Sequence, residues 1–274
     1  MGFTEKLADA IRRSDSLLCV GLDPDPAQMP VPDVAAFNRA IIEATADLAC
    51  AYKPNLAFYE ALGKAGLSAL EDTLKAVPGH IPVIGDGKRG DIGNTARAYA
   101  RALFDVWGFD AATVNPYLGG DSVEPFLSYS GKGVFLLCRT SNPGSADFQA
   151  LEARPPGSSE VRPLYEWVAL RAASWRGAAS VGLVVGATYP EELRRVRALC
   201  PGAPFLVPGV GAQGGDLEMA VRYGMDAQGG KAIISVSRQV LYASRGADYA
   251  QAARRSALAL RDRIRRAMAA AAGS

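Results

Sequence analysis

The sequence is poor in histidine, and this shortage excludes multi-histidine metal sites. His80 is the one histidine among 274 residues. A zinc site would have to take its remaining ligands from carboxylates or thiolates, and a Ser-His-Asp triad would depend wholly on His80. Because His80 follows Pro78 and Gly79 in a stretch typical of a loop, we expect an ordinary surface histidine.

Cysteine is also scarce, and the four cysteines are widely spaced. Cys19, Cys50, Cys138 and Cys200 form no C-x-x-C pair, so neither a disulfide framework nor a zinc ribbon is indicated. Three of them lie inside apolar runs, where a free cysteine packs as a small core residue. We therefore expect reduced thiols and a reducing compartment.

The chain lacks both a long hydrophobic run and an excess of charge of either sign. No stretch approaches the roughly 18 apolar residues of a membrane-spanning helix. Residues 1–14 predict an amphipathic helix, with acidic side chains where a secretory signal would be basic. The balance of 30 Lys and Arg against 28 Asp and Glu excludes a bulk electrostatic grip on nucleic acid or an anionic membrane. Since 49 % of the residues are apolar, the composition predicts a folded, cytoplasmic protein.

Short apolar runs recur eight times, with windows of helical apolar periodicity between most of them. The predicted strands are residues 17–23, 50–54, 82–86, 111–115, 134–139, 180–186, 204–209 and 232–237. Strands that alternate with helices form βαβ units and a parallel sheet, so the fold class is α/β. Eight units in about 250 residues predict a (β/α)8 TIM barrel. A doubly wound sheet is the alternative. Because no linker divides the chain, we expect residues 1–274 to form a single domain.

Two polar segments need separate interpretation. Residues 153–163 are rich in Pro and Ser and fall between the fifth strand and the next helix. A barrel places this loop at the face that carries active sites, so it is either a lid or a solvated insertion. Residues 247–271, rich in Ala and Arg, predict the eighth outer helix rather than a nucleic-acid-binding arm.

Polar or charged residues lie at the ends of the first five predicted strands. They are Asp23, Lys53, Asp86, Asn115, and Arg139 with Ser141. In a barrel, catalytic groups come from the carboxyl ends of the strands, and burial of an unpaired charge is costly. This pattern predicts an active site at the barrel mouth, with stabilising ion pairs as the alternative.

The densest cluster of charge is DGKRGDIGNT at residues 86–95. Asp86 and Lys88 are two residues apart, so their side chains point the same way from an extended strand. Asp91 follows a turn at Gly90, at the start of the next helix, where an acid is favoured. An ammonium between two carboxylates stays protonated. Lys88 is therefore predicted to donate a proton rather than to form a Schiff base, which requires a neutral amine.

Two more turns, after the seventh and eighth strands, predict a phosphate site. Residues 209–215 have the sequence GVGAQGG, and Ser237-Arg238 follows the last strand. Barrels commonly bind phosphate at these two loops through backbone N–H groups, and the Arg238 guanidinium suits phosphate oxygens. Residues 209–214 and 85–90 both fit G-x-G-x-x-G, but neither is followed by a strand ending in the acid that a dinucleotide site requires.

Taken together, these segments resemble the orotidine 5′-phosphate decarboxylase family. Residues 86–95 are similar to its D-x-K-x-x-D-I-x-x-T signature. Further similar segments, in the family's order, are Leu22-Asp23-Pro24, Tyr52-Lys53-Pro54-Asn55, Asn115-Pro116-Tyr117, Thr140-Ser141-Asn142-Pro143-Gly144, residues 208–214 and Ser237-Arg238. The chain length and the long fifth loop resemble the longer bacterial branch, and the resemblance covers nearly the whole chain.

The resemblance implies a homodimeric barrel that converts orotidine 5′-phosphate to uridine 5′-phosphate and carbon dioxide in de novo pyrimidine biosynthesis, with no metal or organic cofactor. Lys88 would protonate the ring carbon that loses the carboxylate, and Asp86 would lie beside that carboxylate. Lys53 and Asp23 would hold ribose hydroxyls. Asp91 would reach into the neighbouring subunit's site.

The same resemblance implies a set of residues that bind the rest of the nucleotide. Ser141 would contact the pyrimidine, Gln213 and Arg238 the phosphate, and Thr95 the partner's ribose. The other substrate-binding residues implied are Ile92, Asn115, Gly214 and Ser237. Many relatives have glycine where this chain has Ser237, so that turn departs from the family pattern.

The chemistry of such a decarboxylation suits this residue set. Loss of carbon dioxide leaves a carbanion orthogonal to the ring π-system, which a fixed ammonium stabilises and then protonates. One alternative is a related magnesium-dependent barrel acting on a sugar phosphate, such as a keto-gulonate phosphate decarboxylase or a hexulose phosphate synthase. Ile92, Thr95 and the segments around Lys53 and Ser141 favour the nucleotide. A non-catalytic phosphate-binding barrel is the other alternative, and it would have no use for a lysine between acids.

Overall fold

Eight parallel strands form a nearly closed barrel in the computed structural model, which describes residues 1–211 and 213–272. The strands are β1 (Leu18–Leu22), β2 (Ala51–Pro54), β3 (Ile84–Arg89), β4 (Ala111–Val114), β5 (Gly133–Arg139), β8 (Ser180–Val185), β9 (Phe205–Pro208) and β10 (Ala232–Val236). Their order is β2-β1-β10-β9-β8-β5-β4-β3. Parallel bridges from Tyr52 to Val83 and from Asn55 to Asp86 join the two ends. The predicted barrel is therefore confirmed, and each of the eight predicted strands overlaps an observed one.

A short antiparallel hairpin interrupts the long loop after β5. It pairs β6 (Glu152–Ala153) with β7 (Arg162–Pro163). The sequence predicts a loop here and no strands, because a two-residue strand carries no periodicity. The hairpin fixes both ends of the Pro- and Ser-rich segment, whose middle is mostly exposed.

Helices surround the barrel. They are α1 (Phe3–Ser14), α2 (Val34–Thr45), α3 (Leu56–Glu60), α4 (Gly63–Ala76), α5 (Gly93–Arg101), α6 (Gly120–Leu127), α7 (Leu164–Ser174), α8 (Pro190–Leu199), α9 (Leu217–Gly224), α10 (Arg238–Leu241) and α11 (Tyr249–Ala272). A π-helical turn at residues 102–106 extends α5. Aspartates begin two of the helices as N-caps: Asp33 accepts from Ala36 N and Asp216 from Met219 N. The tail forms the predicted outer helix, α11, whose Arg254 and Arg263 pair with Asp47 and Glu218 of neighbouring elements.

The amphipathic helix predicted for residues 1–14 closes the N-terminal end of the barrel as α1. Phe3 and Leu7 are buried against the inward side chains of the strands. The Phe3 ring meets Phe135 edge to face at 5.7 Å. A Cβ at Gly133 would lie 2.5 Å from the Phe3 ring, so the close approach of α1 requires glycine at position 133.

The inward side chains change from apolar to polar toward the C-terminal end of the barrel. Successive inward residues of a strand are two positions apart. Ala51, Ile84, Ala111 and Ile233 form the apolar layer, and Lys53, Asp86, Thr113 and Ser235 follow them two residues later. This end of the barrel therefore holds buried polar groups and opens to solvent.

The remaining expectations from composition concern the cysteines, the histidine and the membrane. The four cysteines are buried free thiols, and His80 is exposed, as predicted. Within the described ranges, no helix is both long and apolar enough to cross a bilayer.

Candidate active site

An open cavity of about 550 Å³ lies at the C-terminal end of the barrel. This volume is in the range of small-molecule sites. Eight of the thirteen residues predicted for the site line it: Asp23, Lys53, Asp86, Lys88, Ser141, Gln213, Ser237 and Arg238. Residues that are distant in sequence therefore meet in one pocket because they follow the ends of different barrel strands.

Two lysines share the carboxylate of Asp86 at the floor of the cavity. Lys53 Nζ lies 2.7 Å from Asp86 Oδ2, and Lys88 Nζ lies 2.7 Å from Oδ1. Lys53 and Asp86 are only 5 % and 7 % exposed, whereas the Lys88 side chain is 48 % exposed. Lys88 is thus the member of this group whose ammonium is open to a ligand.

Opposing effects set the charge of the two buried members. Burial lowers the pKa of Lys53, but the carboxylates of Asp86 and Asp23 together raise this pKa by more than burial lowers it. The pKa of Lys53 therefore lies above its ordinary value. Burial raises the pKa of Asp86, but the ammonium groups of Lys53 and Lys88 outweigh burial and hold it well below its ordinary value. Lys53 is therefore a cation and Asp86 an anion at neutral pH.

Thr113 completes this group from β4, and the sequence analysis missed it. Its hydroxyl donates to Asp86 Oδ1 at 2.9 Å and accepts from the backbone N of Lys88 at 2.9 Å. The available signal was that Thr113 is a polar residue two positions after the buried Ala111. This spacing places it on the inward face of the strand. Threonine is common in strands for its β-branched shape, so that signal is weak.

Asp23 and Ser237 line the cavity, and each has a buried side-chain oxygen. Asp23 Oδ1 and Ser237 Oγ have no hydrogen-bond partner within residues 1–211 and 213–272. Buried polar atoms in proteins are usually paired, so these two are positions for polar groups of a ligand. The backbone beside Asp23 is fixed by the Tyr242 hydroxyl, which donates to Asp23 O and accepts from Asp25 N.

The loop after β9 packs against Ser141. Gly209 has φ +96°, and a Cβ there would lie 2.8 Å from Ser141 Cβ and 3.0 Å from Gln213 Oε1. Gly186, at the end of β8, would place a Cβ 2.8 Å from Ser141 Cα. Glycine at both positions allows the three loops to converge on one wall of the cavity.

Five predicted site residues lie outside the cavity of this single chain: Asp91, Ile92, Thr95, Asn115 and Gly214. Asp91 Oδ1 accepts from Ile92 N at 2.7 Å, and within the described chain no hydrogen bond or ion pair joins Asp91 to Lys88. Within one chain Lys88 therefore pairs with the carboxylate of Asp86 and not with that of Asp91. Asn115 accepts from Tyr117 N and caps a short 3-10 turn.

Arg139, at the end of β5, forms a stabilising ion pair, which is the alternative to a catalytic role for charges at strand ends. It is buried and pairs with Glu192 of α8. Its guanidinium lies 4.0 Å from the centre of the Tyr189 ring and donates to Ser145 Oγ. Arg139 thus anchors the base of the loop that carries Ser141. Six further polar residues line the cavity, to which the sequence alone assigned no role: Asn55, Thr140, Asn142, Gln149, Ser235 and Gln239. Asn55, Thr140 and Asn142 belong to the segments that resemble the family.

The described side chains include no cluster of three or more His, Cys, Asp or Glu residues placed to hold a metal ion. The acids of the cavity are Asp23 and Asp86, and Asp86 already accepts from two ammonium groups.

Comparison with known proteins gives one consistent result. Residues 16–255 match the model of the Orotidine 5′-phosphate decarboxylase / HUMPS family. The chain is 53 % identical over 273 residues to the orotidine 5′-phosphate decarboxylase of Thermomicrobium roseum, covering 97 % of this chain and 96 % of that protein. It resembles the structure of Leishmania donovani OMP decarboxylase with a TM-score of 0.82 and 44 % identity, covering 97 % of this chain and 99 % of the other. A Toxoplasma gondii structure described as a putative orotidine-monophosphate decarboxylase gives a TM-score of 0.88 at 40 % identity, covering 98 % of each chain.

Proposed function

The chain belongs to the orotidine 5′-phosphate decarboxylase / HUMPS family, and from this membership we propose that it converts orotidine 5′-phosphate to uridine 5′-phosphate and carbon dioxide in pyrimidine biosynthesis. Full-length relatives that carry this enzyme name are more than 50 % identical to it. The observation that carries the proposal is the half-exposed side chain of Lys88, whose ammonium lies 2.7 Å from Asp86 in a cavity of nucleotide size.

Lys88 supplies both electrostatic stabilisation and the proton. When the bond between C6 and the carboxylate breaks, carbon dioxide leaves and the electron pair stays on C6. A fixed ammonium beside C6 stabilises this charge more strongly than water could, because it needs no reorganisation. One Lys88 N–H proton then moves to C6, which gives the product and leaves a neutral amine that takes up a proton from solvent.

Asp86 and Lys53 keep Lys88 in place. Asp86 accepts from both lysines through separate oxygens, which restricts Lys88 to a small set of rotamers. Lys53 is buried behind Asp86, and Asp23 lies at the end of the neighbouring strand β1. We assign Lys53 and Asp23 to the ribose hydroxyls, since Asp23 offers an unpaired buried oxygen.

The phosphate and the base bind at the loops that follow β5, β9 and β10. Gln213 and Arg238 offer donors for phosphate oxygens, and Ser237 offers a buried hydroxyl without a partner among the described residues. Ser141, which packs against Gly209, is assigned to the pyrimidine. Binding energy from the remote phosphate increases the rate when it orders the charged site in the transition state.

We further propose that the enzyme is a homodimer in which Asp91 and Thr95 serve the partner's site. Both lie outside the cavity of their own chain. The neighbouring Ile92 is 57 % exposed, and Tyr117 and Leu118 are also largely exposed on the adjacent turn. Exposed apolar side chains beside polar residues that serve no site in their own chain are typical of a protein–protein interface. Ile92, Asn115 and Gly214 remain predicted substrate-binding residues.

The test is an ultraviolet assay of orotidine 5′-phosphate consumption by the purified protein, with chelator present. We expect turnover to survive the chelator, and replacement of Lys88 by alanine to abolish it while circular dichroism stays unchanged. Absence of orotidine 5′-phosphate consumption both with and without chelator would favour the magnesium-dependent reaction on a sugar phosphate, whereas loss of consumption only with chelator would refute a metal-free decarboxylation. Unchanged turnover in Lys88→Ala would refute the assignment of Lys88.

A further inference from the structure

We propose that Thr113 is a positioning residue that sets the location of the Lys88 ammonium. The proposal rests on the function proposed above, because it concerns the same lysine. It adds a side chain that the family signature at residues 86–95 does not contain. Thr113 is 1 % exposed and comes from β4, the strand beside the one that carries Lys88.

The backbone around Lys88 departs from a regular strand. Gly85 pairs with Ala112 and Arg89 pairs with Val114. Three residues of β3, 86–88, therefore lie opposite the single residue Thr113. Such bulges re-aim side chains near active sites. Lys88 also has φ +46°, a left-handed conformation that is costly for a residue with a Cβ and persists only when its surroundings hold it.

The Thr113 hydroxyl replaces the ladder hydrogen bond that the bulge removes. Lys88 N donates to Thr113 Oγ1 at 2.9 Å instead of to a strand carbonyl. Because the hydroxyl oxygen accepts this bond, its own proton is available for Asp86 Oδ1 at 2.9 Å. Thr113 thus holds the strained backbone of Lys88 and the carboxylate of Asp86 with one atom.

These contacts close a ring. Lys88 N donates to Thr113, Thr113 donates to Asp86 Oδ1, and the same oxygen accepts from Lys88 Nζ at 2.7 Å. The ring fixes both ends of the lysine side chain relative to one carboxylate oxygen. The second oxygen of Asp86 is occupied by Lys53, so the carboxylate has little freedom to rotate. Thr113 is the one member of the ring that belongs to β4 rather than β3, and removal of its hydroxyl opens the ring.

The closing experiment compares two replacements of Thr113 with a matched control. Thr113→Val keeps the β-branched shape and loses both hydrogen bonds, whereas Thr113→Ser keeps the hydroxyl. Thr45→Val is the control, because Thr45 is also fully buried and its hydroxyl also bonds twice, to Ile41 O and the Tyr52 hydroxyl. None of these three residues lines the cavity.

We expect Thr113→Val to lower kcat about 10- to 100-fold, since a displacement of about 1 Å in a catalytic group costs up to that factor. KM and the calorimetric Kd of uridine 5′-phosphate should stay within about twofold, because Thr113 positions the lysine and does not grip the nucleotide. Thr113→Ser should recover most of kcat, and Thr45→Val should match the parent in kcat. The binding stoichiometry in the calorimeter counts folded sites, so unfolding cannot imitate the result.

Crystal structures of the two Thr113 variants supply a readout that does not depend on activity. In Thr113→Val, Lys88 should leave its positive φ or its Nζ should move beyond hydrogen-bond distance of Asp86, and in Thr113→Ser neither should change. A valine variant with parental kcat, or one whose Lys88 keeps both features, would overturn the positioning role. Absence of decarboxylation by the parent would instead refute the proposed function, and the crystal comparison would still decide the role of Thr113.

Discussion

Lys53 Nζ lies 2.7 Å from Asp86 Oδ2, and both side chains are more than nine-tenths buried. A buried ion pair contributes little net stability, because desolvation offsets the attraction. Loss of one partner is different, since it leaves the other charge buried and uncompensated. The pair therefore makes the floor of the cavity sensitive both to substitution and to pH.

Replacement of Asp86 by asparagine should lower the free energy of unfolding at pH 7 by about 3–5 kcal/mol, because it leaves Lys53 without its anion. The pKa of Asp86 is depressed in the folded protein relative to the ordinary 3.8, so its contribution is fully present above about pH 4 and is lost as the pH falls through the folded value. The pKa of Lys53 is raised above 10.5, so its contribution is lost only in strong base.

Urea unfolding of the parent and Asp86→Asn from pH 2.5 to pH 8 tests this. The difference in unfolding free energy should be constant from pH 5 to pH 8. Below pH 4 it should narrow by about 1.4 kcal/mol per pH unit. Asp72→Asn is the control, because Asp72 is exposed in a surface pair with Lys75 and should change stability by less than about 0.5 kcal/mol. A difference that persists unchanged to pH 2.5 would contradict the assignment.

Gly209→Ala should damage the site through crowding. The new Cβ would lie 2.8 Å from Ser141 Cβ and 3.0 Å from Gln213 Oε1, at φ +96°, and we expect a loss of about 1–3 kcal/mol of stability. Because Ser141 and Gln213 must move, KM for orotidine 5′-phosphate should rise about tenfold or more. Thermal unfolding and steady-state kinetics measure the two effects.

Gly79→Ala is the matched control for that substitution. A Cβ at Gly79 meets nothing within 4 Å, so the variant should stay within about 1 kcal/mol of the parent and keep its KM. Equal behaviour of the two alanine variants would show that the wall formed by Ser141 and Gln213 tolerates a methyl group.

The floor of the cavity could be predicted from the sequence because the second and third apolar runs end in Lys53 and Asp86, charges that burial would penalise. Lys53 and Asp86 offset this cost by pairing with each other. Thr113 could not be identified in the same way, since a threonine in a strand satisfies strand propensity whether or not its hydroxyl has a role. Its role depends on the bulge opposite it, which arises from pairing between strands.

Proximity in the sequence, or a similar position on a strand, also did not predict which side chains are in contact. Asp91 is three residues from Lys88, yet in one chain it bonds to Ile92 N. Arg139 sits at a strand end like Lys53, yet it pairs with Glu192, which is brought to it by α8. Only the packing of distant elements separates a strand end that faces the cavity from one that anchors a loop.

Arg238→Ala should weaken binding of the phosphate specifically. Charge-assisted hydrogen bonds contribute about 1.5–3 kcal/mol, so KM for orotidine 5′-phosphate should rise about 10- to 100-fold. Turnover of orotidine, which lacks the phosphate, should be unchanged by the substitution. Arg255→Ala on α11, which removes a surface pair with Asp248, should alter neither. An equal loss with both substrates would contradict a phosphate role for Arg238.

Mixing two inactive variants tests the shared site. If Asp91 serves the partner's cavity, a hybrid dimer of Lys88→Ala and Asp91→Ala has one site that lacks both groups and one that is intact. After random exchange of subunits half of the dimers are hybrids, each with one active site of two, so activity should return to roughly a quarter of the parental value. Lys88→Ala mixed with Asp86→Ala is the control, because both residues lie in the cavity of the same chain and every hybrid site lacks one of them. Dimer content is checked by sedimentation. Recovery in neither mixture from a verified hybrid would mean that Asp91 acts within its own chain, in a conformation that turns residues 89–92 back toward Lys88.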